Sequence, residues 1–264
     1  MNIFATIINE IGYETSIYLA LAVFMGSGWL LSLLLRDASI VDVMWGLGYV
    51  LVAALTLLAL PMSLPFTLLF GAVCLWGLRL AVHLGRRWAQ EPEEDQRYQS
   101  MRRRADSAFW WRSLITVFAL QGVLIGLIAQ PLIRLATGYL GEIAAPLAFI
   151  AFLIIALVGL LIETLSDIQL TRFRAQKTGG ILNTGLWSRS RHPNYFGDAL
   201  FWWGIGLAVV AAAPELVLTL LAPALMNLLL VKISGADLLD HYMARKPGFE
   251  AYRAQTNRFI PRIF

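Results

Sequence analysis

From Ala144 to Glu163 the chain reads AAPLAFIAFLIIALVGLLIE, and the only charged residue in the run is its last. A membrane-spanning helix needs about 20 mostly apolar residues, because the hydrocarbon layer is about 30 Å thick and each helical residue advances about 1.5 Å. The run meets that requirement. Six further stretches meet it too: Ser16–Leu35, Val41–Leu60, Pro65–Leu84, Ser113–Leu135, Tyr195–Ala212 and Glu215–Lys232. The composition agrees. Hydrophobic residues make up 58% of the 264 and charged residues 14%, with a mean hydropathy of +0.67. Soluble domains hold about 45–50% apolar and about 25% charged residues, so lipid must solvate the surplus apolar surface here. No internal repeat or low-complexity linker interrupts the pattern. The expected fold is all-α: one polytopic membrane domain over residues 1–264 with about seven transmembrane helices.

The basic residues check this independently. Arg36 follows the first stretch, and a dense block from Arg86 through Arg97 and Arg102 to Arg112 follows the third. Arg172, Arg174, Lys177, Arg189 and Arg191 follow the fifth, and Lys232, Arg245, Lys246, Arg253, Arg258 and Arg262 end the chain. The intervening connections hold none, except Arg134. Rich and poor segments thus alternate once per helix, which implies an N-terminus outside, a cytoplasmic C-terminus and an odd number of crossings. Met1 to Thr15 holds no Lys or Arg, so the first apolar run is expected to be a retained helix rather than a signal peptide. The expected location is a membrane, the inner membrane if the cell is bacterial. The pI of about 9.4 is then topological and does not point to nucleic acid. The one cysteine, Cys74, sits in an apolar run, where it packs.

Polar groups inside spans are costly and are usually functional or paired. Asp42, Trp45 and Tyr49 share one helical face, as do Trp76, Arg79 and His83; Glu163 and Asp167 lie one turn apart. Simpler roles exist for each: Asp42 as a cap after Ser39, Arg79 and His83 snorkelling, the tryptophans as packing. The segment from Glu163 to Tyr195 reads ETLSDIQLTRFRAQKTGGILNTGLWSRSRHPNY. Its arginines suit phosphates, its aromatics suit stacking on a planar ligand, and its glycines allow close approach. It has no GxGxxG turn and no Walker A sequence, and no His, Cys and carboxylate set has zinc spacing, so no metal is expected.

Gly185 to Asp198, GLWSRSRHPNYFGD, resembles the signature of the membrane sterol reductases: the sterol Δ14- and Δ7-reductases and the lamin B receptor, with a looser form in the steroid 5α-reductases. Asp237 and Tyr252 keep that family's spacing. Phe259 to Phe264, FIPRIF, is similar to its ending, and Asp167-x-Gln169 with Phe173-Arg174 is similar to its upstream element. The resemblance runs from Gly159 to Phe264, and the overall pattern is most similar to a compact bacterial-type branch of the 5α-reductase-like proteins. It departs from the sterol reductases at Leu170, where they have Lys, and at His241 and Arg245, where they have Cys and Tyr.

The resemblance implies an NADPH-dependent membrane oxidoreductase acting on CH–CH groups, like a 3-oxo-5α-steroid 4-dehydrogenase. Residues 159–264 would hold NADPH and residues 1–158 the substrate. Position by position it implies cofactor contacts at Asp167, Arg174, Leu182, Trp187, Arg191, His192, Asn194, Tyr195, Asp198, Asp237 and Tyr252, with Arg172 or Arg245 adding phosphate charge. Hydride transfer to an enone needs a donor that polarises the carbonyl oxygen, then a proton source. Asp42, Tyr49 and Tyr98 are the candidates from position and chemistry: a carboxyl buried near lipid tends to stay protonated, and a phenol is a donor at neutral pH. The substrate class is apolar: a steroid, sterol, polyprenol, fatty enoyl lipid or quinone-like enone. Membrane methyltransferases of the isoprenylcysteine and phospholipid type also use Arg-His-Pro-x-Tyr with S-adenosylmethionine. They carry paired Glu residues where this chain has Ser234-Gly235-Ala236-Asp237. A non-catalytic scaffold is the third reading.

Overall fold

The computed structural model describes residues 11–91, 93–176, 179–233 and 236–262, and only the backbone of Leu238. Residues 1–10, which hold no Lys or Arg, Lys177, the Ser234-Gly235 pair and the Ile263-Phe264 end of the C-terminal motif lie outside the described residues. Among those described there is no strand, and one isolated bridge pairs Ser190 with Asn257. Among the described residues seven helices are long and apolar enough to cross a membrane: α1 (Tyr13–Leu35), α2 (Ile40–Ala59), α3 (Leu64–Gln90), α4 (Gln96–Ile128), α5 (Pro146–Ala175), α6 (Pro193–Ala212) and α7 (Pro214–Ile233). Two short helices follow, α8 (Ala236–Met243) and α9 (Phe249–Gln255). Leu34, Leu147 and Leu218 are 82%, 86% and 77% exposed, a distribution that only a lipid solvent tolerates. The protein is a multi-pass integral membrane protein.

The chain forms two compact units, Met1–Gly141 and Glu142–Phe264. In the first, α2 and α3 meet at Gly46 and Gly77, where a Cβ on either would lie 2.5 Å from the other's carbonyl oxygen. Small residues at such crossings let backbones approach, which matters in lipid because tails are as apolar as leucine. Around the crossing, Tyr49, Val52, Phe66, Phe70, Val73 and Trp76 are fully buried. α1 ends on Arg36 in the left-handed region, at φ 55, with its N–H on the Ser32 carbonyl. α4 is not continuous. Its polar first part, Gln96–Ala105, stops where Asp106 takes φ 47, and the apolar part restarts at Phe109 with a π-helical stretch over Leu114–Ala119.

In the second unit α5, α6 and α7 each begin with proline in the first turn, where its missing N–H costs nothing. α5 runs for 30 residues, about 45 Å, longer than the hydrocarbon layer is thick. The stretch after Glu163, read from sequence as a connecting segment, is helical to Ala175 because no glycine or proline interrupts it. α5 and α6 interlock backbone to backbone. A Cβ at Gly159 would lie 2.5 Å from the Phe201 nitrogen, one at Gly197 2.5 Å from the Glu163 nitrogen, and one at Gly204 2.5 Å from the Ala156 nitrogen. Gly159→Val is therefore expected to destabilise the protein by about 1–3 kcal/mol or more through overpacking. Gly26→Ala, at a site with open space, should be neutral. Equal melting midpoints for the two purified variants would refute the interlock.

Candidate functional site

In the C-terminal unit the site grows from the connection between α5 and α6. Gly185 turns the chain at φ 60, and a Cβ there would lie 2.7 Å from the Gln169 side chain, so glycine satisfies both the dihedral and the space. The turn hangs on the outer part of α5. The Leu186 N–H donates to Gln169 Oε1 at 3.0 Å, and Trp187 Nε1 donates to the Ser166 carbonyl at 3.0 Å. From the other side Tyr252 Oη donates to the Trp187 carbonyl at 2.6 Å. Burial pushes the Tyr252 phenol up to about 12, so it remains a donor at any physiological pH.

Next comes a charged clamp. Arg191 is buried; its Nη2 donates to Asp240 Oδ2 at 2.8 Å and its Nη1 to the Thr256 carbonyl at 2.9 Å. His192, also buried, places Nε2 3.0 Å from Asp240 Oδ1. Arg258 approaches the same carboxylate at 3.8 Å and pairs with Asp237, which Lys232 also reaches at 3.6 Å. Burial alone would raise the Asp240 carboxyl, but the Arg191 hydrogen bond and His192 outweigh it and hold it below the usual carboxylate range. His192 is pushed down by burial, then by Arg191 and Arg258, against the pull of Asp240. An ionised Asp240 only accepts, so a neutral His192 must carry its proton on Nε2.

The first turn of α6 completes the cluster. Asn194 Nδ2 donates to Asp167 Oδ1 at 3.2 Å, Asp167 is buried on α5, and the Tyr195 ring stacks on His192 with centroids 5.7 Å apart. Asp198 is buried one turn deeper in α6. Arg174 is exposed near the end of α5, on the same face as Asp167, and Leu182 is half-buried in the coil before the turn. A polar recess of about 410 Å³, lined by Asn183, Ser188, Gly248, Tyr252, Gln255 and Thr256, opens beside Tyr252. The fold thus gathers Asp167, Trp187, Asn194, Tyr195 and Tyr252, while the polar atoms of Arg191 and His192 face the clamp. Asp240 and Thr256 were not singled out from sequence. The available signal was that an adjacent Arg and His, if buried, need a counter-ion.

In the N-terminal unit Asp42 and Tyr98 come together although far apart in sequence. Tyr98 Oη donates to Asp42 Oδ1 at 2.6 Å, and Arg97 Nη2 donates to Oδ2 at 2.5 Å. Both Asp42 oxygens are thus engaged, one by the phenol and the other by the Arg97 guanidinium. Gln121 Nε2 lies 3.5 Å behind the Tyr98 oxygen. Arg97 is braced by Asp95, through Nε at 2.9 Å; Arg97 and Arg87 hold that carboxyl low against the raising effect of burial. Ser39 does not cap α2 with its side chain; its hydroxyl accepts the Asp95 N–H at 2.8 Å. Tyr49 lies two turns along α2 from Asp42, fully buried between Trp45 and Trp76, with edge-to-face centroid distances of 5.6 and 5.3 Å. Among the described residues no group of three or more His, Cys, Asp or Glu is placed to hold a metal ion.

Residues 28–258 match a family described as protein of unknown function, DUF1295. No curated protein and no solved structure matches the chain.

Proposed function

We propose, from the premise that the chain belongs to the DUF1295 family, that it is a membrane reductase that uses NADPH to reduce a carbon–carbon double bond of an apolar enone, steroid-like or another lipid. The observation that carries this reading is the convergence of Trp187, Asn194, Tyr195, Asp167 and Tyr252 on the connection that leads into α6. The family's relation to steroid 5α-reductase-like membrane proteins supports it.

The donor set fits a dinucleotide. Arg172 and Arg174 are exposed cations on the outer part of α5, suited to phosphate oxygens. Asn194, with Asp167 fixing one side of its amide, can present its carbonyl to a carboxamide N–H. Tyr195, braced on His192, offers a phenol and a ring face. The polar recess beside Tyr252 can take a ribose. When bound, NADPH supplies a hydride from its nicotinamide ring. The chain's part is to orient that ring, keep water out and stabilise the charge that moves onto the substrate oxygen. We assign that last task to Tyr98, which must exchange its hydrogen bond to Asp42 Oδ1 for one to the substrate oxygen, because a phenol has a single proton to donate.

The test is nucleotide binding. Arg174→Ala should weaken NADPH by about tenfold to a hundredfold in calorimetry, the worth of one charge-assisted contact. Unchanged NADPH affinity would sink the assignment of Arg174. Tight binding of S-adenosylmethionine by the wild type would favour a methyltransferase instead, and no binding of either would favour a scaffold.

A further inference from the structure

In the N-terminal unit a cavity of about 610 Å³ opens where α1 ends and the apolar part of α4 begins. Leu33 and Arg36 line it from α1 and Arg102, Phe109 and Trp110 from α4, with Ser32 and Ser113 beside them. The two walls are fixed to each other. Trp29 Nε1 donates to the Trp110 carbonyl at 2.8 Å, and Arg102 Nη2 reaches the Arg36 carbonyl at 3.3 Å.

The rim is cationic. Arg36 holds a left-handed backbone position at φ 55, where glycine is the usual residue, yet carries the longest basic side chain. That side chain is exposed and makes no ion pair among the described residues. Arg102 is held by Glu94 at 2.8 Å and lies over the Phe109 ring, 4.3 Å from its centroid, so its plane is set before any ligand arrives. The floor is apolar. Trp110 is 57% exposed, and Leu33 of α1 and Phe109 of α4 line the cavity with it. The same level marks the change along α4 from the arginine-rich Gln96–Ala105 to the apolar sequence that starts at Phe109.

A cationic rim above an aromatic and aliphatic floor, at the boundary between polar and apolar sequence, matches one ligand chemistry: a phosphate joined to acyl chains. We propose that this cavity is a site for an anionic glycerophospholipid, with the phosphate on Arg36 and Arg102 and an acyl chain along Leu33 and Trp110. Inorganic phosphate would leave the apolar half unused, and a zwitterionic lipid would bring its own cation to the rim.

The experiment uses the full chain, purified in detergent and stripped of lipid. It is titrated with phosphatidylglycerol, phosphatidylcholine or inorganic phosphate, and bound lipid is counted by native mass spectrometry. Phosphatidylglycerol should bind at least about tenfold tighter than phosphatidylcholine. Arg36→Gln should weaken phosphatidylglycerol by about tenfold to a hundredfold, the range of one charge-assisted contact. Trp110→Ala should weaken it through the acyl chain and leave the melting midpoint unchanged, because only the Trp110 backbone binds Trp29. Excess phosphate should not displace the lipid. Equal binding of the two lipids, an Arg36→Gln variant that binds like wild type, or displacement by phosphate would each overturn the proposal.

Discussion

Replacing Asp240 with alanine is expected to cost about 3–5 kcal/mol of stability, the range for breaking a buried ion pair from one side. The Arg191 side chain is 8% exposed and that of His192 5%, so neither can turn to water when the carboxylate goes. Asp240→Asn keeps an oxygen for one hydrogen bond but loses the charge, and should fall between alanine and wild type. Exchanging the whole group for apolar residues should cost less than removing Asp240 alone, because no charge is then stranded. The reading is the melting midpoint of the purified protein. An alanine variant that melts with the wild type would show that the clamp contributes nothing. Acid should loosen the same clamp in two steps. His192 has a folded pKa below its ordinary 6.5, so its contribution is whole above that value and is lost as the pH falls through the depressed one. Asp240 is depressed from 3.8, so its contribution is whole above that and is lost at still lower pH.

Tyr98→Phe is expected to reduce turnover by about 10²–10⁴-fold while nucleotide binding stays near wild type. The substitution removes only the hydroxyl. Asp42 keeps Arg97 on its other oxygen, and the ring keeps its buried place. What is lost is the group assigned to polarise the substrate oxygen. Asp42→Asn should lower turnover as well, because an amide cannot hold both the phenol and the guanidinium as acceptors. Tyr49→Phe discriminates between the sequence candidates: its ring is locked between Trp45 and Trp76, two turns from the pair. Single-turnover oxidation of bound NADPH with an active enone reads all three. A Tyr98→Phe variant that turns over like wild type would remove the assignment.

The spans were legible because lipid demands uniformly apolar helices, and all seven could be read from runs such as Ala144–Glu163. Their outer limits were less so. The charges from Glu163 onward read as the end of a span, whereas the backbone has no reason to leave the helix before Ala175. That extension matters, since Ser166 and Gln169 on it hold the turn carrying Trp187. Of the candidate site, the residue types were readable but not their partners. The link between Tyr98 and Asp42 forms only once α2 and α4 stand side by side, and Asp240 was one of several acids that could have answered Arg191.

The interlock of α5 and α6 has a consequence for the order in which the chain acquires its shape. The two helices are consecutive, so their contact needs nothing that is synthesised later, and closing a connection of this length costs little entropy compared with a distant pairing. During translation the helical hairpin can seat in the bilayer as soon as α6 has emerged, with the Trp187 turn already hung on Ser166 and Gln169 of α5. Asp240, Tyr252 and Thr256 leave the ribosome afterwards and fasten onto a frame that is waiting for them. A chain stalled before Asp240 would thus carry a finished scaffold around an unlatched loop, and nascent C-terminal units would be most vulnerable to proteases in that interval.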